Sequence, residues 1–207
     1  MREIDPKTTS RAKAFELWMK ATMPMVTMTK TYDITHLRRI AKRQGVKLNM
    51  LMCYAVVKAA SEFREFYMLP VGDKLMEYDN LAINTIVMTR DGGINTCDIP
   101  FSDDIYQFEA DYLRITKLAQ SATEDVVLGD DYMVIGSSAL TKCELDSVVN
   151  VYAGFWNNPF VVWSKYRKGW FKTTLSLSFQ FHHTQMDGPI STGFLNRLQE
   201  VMNSIKY

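Results

Sequence analysis

The segment FHHTQMDGPI, residues 181–190, holds two of the three histidines in the 207-residue chain, side by side where a strand-like run gives way to a helix-like one. Imidazole has a reference pKa of about 6.5, so a histidine here can act near neutrality as a base toward a hydroxyl or amine. From Thr173 to Phe181 the chain alternates, with Leu175, Leu177, Phe179 and Phe181 apolar and Ser176, Ser178 and Gln180 polar. That is the period of a half-buried strand. His183 continues the apolar face and His182 the polar one. Asp187 and Gly188 supply a turn, and Pro189 suits a first helical position. Ile190, Phe194, Leu195, Leu198, Val201 and Met202 then follow at helical spacing. The residues alone leave a second reading open, a core histidine bonded to a backbone carbonyl with Asp187 merely opening the turn.

The rest of the chain must build the frame for this pair. Segments 11–22 and 33–44 read as helices, the second closed by Gly45, and Val26, Met28 and Tyr32 mark a strand between them. Residues 48–63 read as a helix whose apolar stretch, Leu48 to Ala60, is too short to span a bilayer and suits a buried position. Residues 81–89 read as a strand ending at the Asp91, Gly92, Gly93 turn. Residues 103–120 carry Ile105, Phe108, Tyr112, Leu113 and Ile115 on one stripe of an amphipathic helix. Segments 132–140 and 159–166 are strand candidates joined by an irregular, aromatic-rich loop. Helices and strands alternate without a regular βαβ cadence. The expected class is therefore α/β in the mixed α+β sense, a mixed sheet flanked by helices. With 47% hydrophobic residues and no Pro/Gly/Ser-rich linker, residues 1–207 are expected to form a single domain.

Composition removes several function classes. Lys plus Arg number 24 against 23 Asp plus Glu, so no global field recruits nucleic acid or a membrane surface, and an anionic ligand must be held locally. The start, MREIDPKTTSR, lacks the apolar core of a secretory signal. Cys53, Cys97 and Cys143 are odd in number and widely spaced, which fits reduced thiols in the cytoplasm better than disulfides or a zinc site. No Gly-rich phosphate loop appears, which argues against nucleotide hydrolysis and dinucleotide binding.

HHTQMDG followed by FLNRLQE resembles the histidine motif, and the helix after it, of the chloramphenicol acetyltransferase family. Further matches stand in collinear order: Arg11 to Phe15 with FELW, the DIT of Asp33 to Thr35, PFSDDIYQF from Pro100 to Phe108, the SAL of Ser138 to Leu140, and SKY from Ser164 to Tyr166. The resemblance covers essentially the whole length. The acyltransferase core of 2-oxo acid dehydrogenase complexes has a similar motif and is the less expected resemblance, since residues 1–180 contain no lipoyl-type module or Ala/Pro linker.

The resemblance implies a CoA-dependent acyltransferase-like two-layer sandwich and a homotrimer whose sites lie between subunits, the histidine coming from one chain and much of the acceptor pocket from its neighbour. It implies that His183 is the general base and that Ser138 stabilises the tetrahedral oxyanion, with Ser137 as its rival. Asp187 would pair with Arg11 and shape the site without orienting the imidazole. Lys165 and Tyr166 would contact the phosphate-bearing ribose and the adenine of CoA. The co-substrate would be acetyl-CoA, with no metal and no acyl-enzyme. The acceptor side would include Trp18, Met23, Met25, Ile94, Phe155 and Val162.

Several of these positions depart from the family's pattern. Thr141 and Lys142 follow Ser138, Ala139 and Leu140, where proline and tryptophan are common. Ile94 replaces a phenylalanine, Val162 a threonine that holds a water, and Trp18 a tyrosine. Isoleucine loses the flat face that an aromatic offers an aryl ring, and valine cannot donate a hydrogen bond. The acceptor therefore stays open among chloramphenicol and another small alcohol or amine, and a catalytically silent binding protein is the remaining alternative.

Overall fold

Alternating side chains decide which side of the main sheet becomes the core. In the computed structural model, which describes residues 1–207, the elements in chain order are β1 (Arg2–Ile4), α1 (Ala12–Trp18), β2 (Met25–Asp33), α2 (Thr35–Gln44), α3 (Leu48–Ala60), β3 (Met68–Val71), β4 (Lys74–Glu77), β5 (Asn80–Met88), β6 (Ile94–Pro100), α4 (Ile105–Ala119), β7 (Tyr132–Leu140), β8 (Phe160–Ser164), β9 (Arg167–Lys168), β10 (Thr173–His182) and α5 (Gly188–Ser204). Seven strands form one mixed sheet in the order β2-β10-β8-β7-β5-β6, with β9 on the flank of β10. The pairs β5/β7 and β7/β8 are parallel and the others antiparallel. A separate three-stranded sheet runs β1-β4-β3.

Leu175, Leu177, Phe179 and Phe181 of β10 join Met133 and Ile135 of β7 and Cys97 and Ile99 of β6 in one buried cluster with α3, α4 and α5. Helix α3 is apolar nearly all round and buried along almost its whole length, as a helix between a sheet and other helices must be. The opposite, open face of the sheet presents the other half of each alternation, including Ser138, Val162 and Ser178. The loop over residues 141–159 folds back across part of it, with the Val148 N–H donating to Ser178 Oγ at 2.9 Å and the Gln180 amide donating to the Asn150 carbonyl at 3.1 Å.

The mixed sheet with flanking helices agrees with the expected class. Two helices end well before the expected residue. The helix expected over 11–22 ends at Trp18, and the chain turns past Pro24 into β2. The helix expected over 48–63 ends at Ala60, and Phe63 is already extended. Strand β6 and the small sheet were not anticipated. Their short segments, two of them containing proline, carry no alternation long enough to register.

Candidate active site

Strand β10 delivers His183 one residue beyond its end, and the chain then makes a tight turn into α5. The His183 N–H donates to the Pro24 carbonyl at 2.8 Å, and the imidazole stacks on the Trp18 ring with centroids 4.8 Å apart and planes 6° from parallel. Nδ1 lies 3.3 Å from the Met186 carbonyl. A carbonyl oxygen only accepts, so Nδ1 carries the proton and Nε2 keeps the lone pair that a base needs. The ring is half-buried, so a reactant can still approach it.

Arg11 ties this turn together. Its guanidinium donates to the Thr184 carbonyl at 2.9 Å, the His183 carbonyl at 3.0 Å and Asp187 Oδ2 at 2.9 Å. The Asp187 side chain makes no capping bond to α5 although the residue stands at the N-cap. Its carboxylate is directed to Arg11 and not to the imidazole, which is the pairing that the resemblance implied. The pair is only partly buried, however: the Arg11 side chain is enclosed, whereas that of Asp187 is 42% exposed. Its strength is correspondingly screened.

The neighbouring His182 differs from His183. It is sealed in, and its Nδ1 accepts from the Thr184 N–H at 3.1 Å. Burial, helped by the adjacent His183, lowers its pKa to about 4, so it stays neutral and has no free role as a base at pH 7.

The two serines separate by face. Ser137 is fully buried on the helix side and donates to the Asn84 carbonyl at 2.7 Å. Ser138 points to the open face and is only half-buried, so its hydroxyl is the available one. Within one chain it does not meet His183. Ser138 lies opposite Val162, and Val162 opposite Ser178. His183 is five residues further along, so roughly 16 Å separate them along the strands and two strand spacings, about 10 Å, across.

Beside Ser138 the open face holds a cavity of about 340 Å³ lined by Ile86, Val134, Gly136, Phe160, Asp98 and Asp125 among others. Gly136 pairs with Phe160, and a Cβ at position 136 would come within 2.2 Å of the Phe160 ring. The glycine thus allows that ring to lie flat across the strand and form the cavity floor.

The expected acceptor residues scatter. Trp18 is in contact with His183, Met25 is half-buried at the start of β2, and Met23 is exposed beside it. Val162 is buried on the open face opposite Ser138. Ile94, 69% exposed, starts the edge strand β6, and Phe155 is exposed in the covering loop. Lys165 is exposed, while the Tyr166 ring packs beneath the Arg38 guanidinium at 4.9 Å and near Lys168 at 6.0 Å. The sequence reading missed the carboxylates of Asp98 and Asp125. Asp98 lies on β6, which was not recognised as a strand, and Asp125 is brought to it from the segment before β7 by the Thr96 N–H.

A family model described as chloramphenicol acetyltransferase matches residues 1–199. Among curated proteins, chloramphenicol acetyltransferase 3 of Escherichia coli is 28% identical over 98% of this chain and 97% of its own length. Chloramphenicol acetyltransferase 2 of Escherichia coli is 24% identical over the same shares. A solved chloramphenicol acetyltransferase superposes with a TM-score of 0.83 at 20% identity, covering 97% of this chain and 99% of that one. A dihydrolipoamide acetyltransferase of Azotobacter vinelandii gives 0.68 at 19% identity, covering 99% and 92%.

Proposed function

Because the chain belongs to the chloramphenicol acetyltransferase family and is an acyltransferase, we propose that it transfers the acetyl group of acetyl-CoA to a hydroxyl of chloramphenicol or a similar small molecule, with His183 as the base. The observation that carries this reading is the His183 corner: a ring held by stacking and by a backbone bond, with Nδ1 committed to a carbonyl and Nε2 left free. Nε2 removes the acceptor's hydroxyl proton as the oxygen attacks the thioester carbon. The tetrahedral oxyanion accepts a hydrogen bond from the Ser138 hydroxyl. The carbon–sulfur bond then breaks, and the proton held by His183 passes to the departing thiolate. Arg11 and Asp187 fix the turn that presents the ring, and no acyl-enzyme or metal is needed.

The separation of Ser138 from His183 supports a site shared between copies, the homotrimer that the resemblance implied. Uncovered apolar side chains near the cavity, Ile86, Val127 and Trp156, offer the surface for a second copy. CoA would enter past Lys165 and Tyr166, where lysine suits a phosphate and an aromatic ring an adenine. No helix is long and apolar enough to cross a membrane. The three unpaired cysteines suit a cytoplasmic enzyme whose effect would be antibiotic resistance.

A thiol-release assay with acetyl-CoA and an acceptor panel including chloramphenicol tests this. Release should require an acceptor and fall sharply in His183→Ala. Release unchanged by that substitution would refute the base assignment, and CoA binding without turnover on any acceptor would favour a silent binding protein.

A further inference from the structure

The open-face cavity has a chemistry that suits one class of acceptor. Asn84 and Asp98 face each other across β5 and β6, and Gly136 and Phe160 across β7 and β8. Gly136 precedes Ser138 by two residues on the same strand, so the cavity begins about 7 Å from the oxyanion position. Its walls are apolar through Ile86, Val127, Val134 and Phe160, and two aromatic rings, Phe160 and Trp156, border it.

Two carboxylates line the same space. Asp98 is 4% exposed; its oxygens accept from the Asn84 amide at 2.8 Å and from the Leu128 N–H at 3.0 Å. Asp125 accepts from the Thr96 N–H at 2.6 Å. All three donors are neutral amides, and neither carboxylate has a lysine or arginine partner. A carboxylate enclosed without a counter-charge is costly to fold around. Carboxylates beside aromatic faces are also the elements that bind an alkylammonium group, by charge and by cation–π attraction.

We propose that this cavity selects a small alcohol that also carries a protonated amine, the ammonium held between Asp98, Asp125 and the rings of Phe160 and Trp156 while the hydroxyl at the other end reaches Ser138. This rests on the acetyltransferase reading and narrows its substrate. The ammonium, already protonated, is no nucleophile, so the acetyl group goes to oxygen. Chloramphenicol, which has no basic amine, would be the poorer acceptor.

The test compares an amino alcohol with its isostere bearing methyl in place of ammonium, by thiol release from acetyl-CoA and by calorimetric binding without acetyl-CoA. The wild type should prefer the amino alcohol by at least about tenfold in kcat/KM, as a single charge-assisted contact warrants. Asp98→Asn and Asp125→Asn should each reduce that preference, the amino alcohol losing more kcat/KM than its isostere. Should Asp98→Asn fail to fold, the exposed Asp125→Asn still reads the effect. Equal kcat/KM for the pair, or a preference that survives both substitutions, overturns the proposal. Preferential binding of the amino alcohol with no turnover of any acceptor would leave cation selection standing and sink the acetyltransferase reading instead.

Discussion

The corner around His183 and the open face around Ser138 are built in opposite ways. The corner is finished within one chain: Arg11 bonds three acceptors on it, Pro24 receives the His183 N–H, and Trp18 covers one face of the ring. The open face is unfinished. Ser138 has an available hydroxyl, the cavity beside it is bordered by uncovered apolar side chains, and the base lies on the order of 16 Å away along the strands. On the proposed reading, a single chain pre-organises its base and the place of reaction is closed by another copy. Positioning of the base can be preserved by strong local bonds, whereas closure depends on association.

The largest effect should come from removing the base. His183→Ala is expected to lower kcat by about 10² to 10⁴ with little change in melting temperature, since the ring is half-buried and packs mainly on Trp18. Comparing kcat with the thermal midpoint of the same preparation checks it. The sharing of the site can then be broken directly. Ser138→Ala and His183→Ala chains, each nearly inactive alone, should recover about a quarter of wild-type activity when co-expressed in equal amounts, the share of subunit junctions that unite an intact serine with an intact histidine. A site complete within one chain predicts no recovery at all.

Much of the corner could be read from the residues. The period-two run of β10, the turn residues Asp187 and Gly188, and the helical spacing after Pro189 locate His183 at a strand end without any coordinates. The choice between Ser137 and Ser138 was also within reach: Met133 and Ile135 point inward, so the same alternation sends Ser137 inward and Ser138 outward. The cavity was not legible. Asp98, Asn84, Gly136 and Phe160 become neighbours only through the crossover that sets β7 parallel to β5 and the register of β6, and no local pattern encodes that pairing. The exposure of Asp187 was hidden for a similar reason, since a sequence reveals a partner more readily than a solvent channel.

A smaller effect tests the ties of the corner. Asp187→Ala removes one of three acceptors from an enclosed guanidinium, which keeps two carbonyls. With the carboxylate 42% exposed, the cost in stability should be about 1 to 3 kcal/mol, together with a lower kcat as the turn loosens. Denaturant midpoints and kcat measured on the same variant check both. Unchanged stability with loss of only the chemical step would mean that Asp187 acts on the imidazole after all.

The smallest effect concerns the silent histidine of the corner. His182 is 2% exposed and burial lowers its pKa to about 4, against about 6.5 for an imidazole in the unfolded chain. Below pH 6.5 the unfolded chain therefore takes up a proton that the native one refuses. The contribution of neutral His182 is fully present above pH 6.5 and is lost as the pH falls toward 4. Asp33 and Glu77, whose carboxyls are held below their ordinary values, lose their contribution only in the more acidic range. Between pH 6.5 and 5 the contribution of His182 can thus be read separately, at about 1 to 2 kcal/mol. Urea midpoints of the wild type should fall across that interval, and those of His182→Gln, which keeps an acceptor for the Thr184 N–H and does not titrate, should fall less. Equal slopes would show that His182 is protonated in the native state, and the corner would then be less dry than its contacts imply.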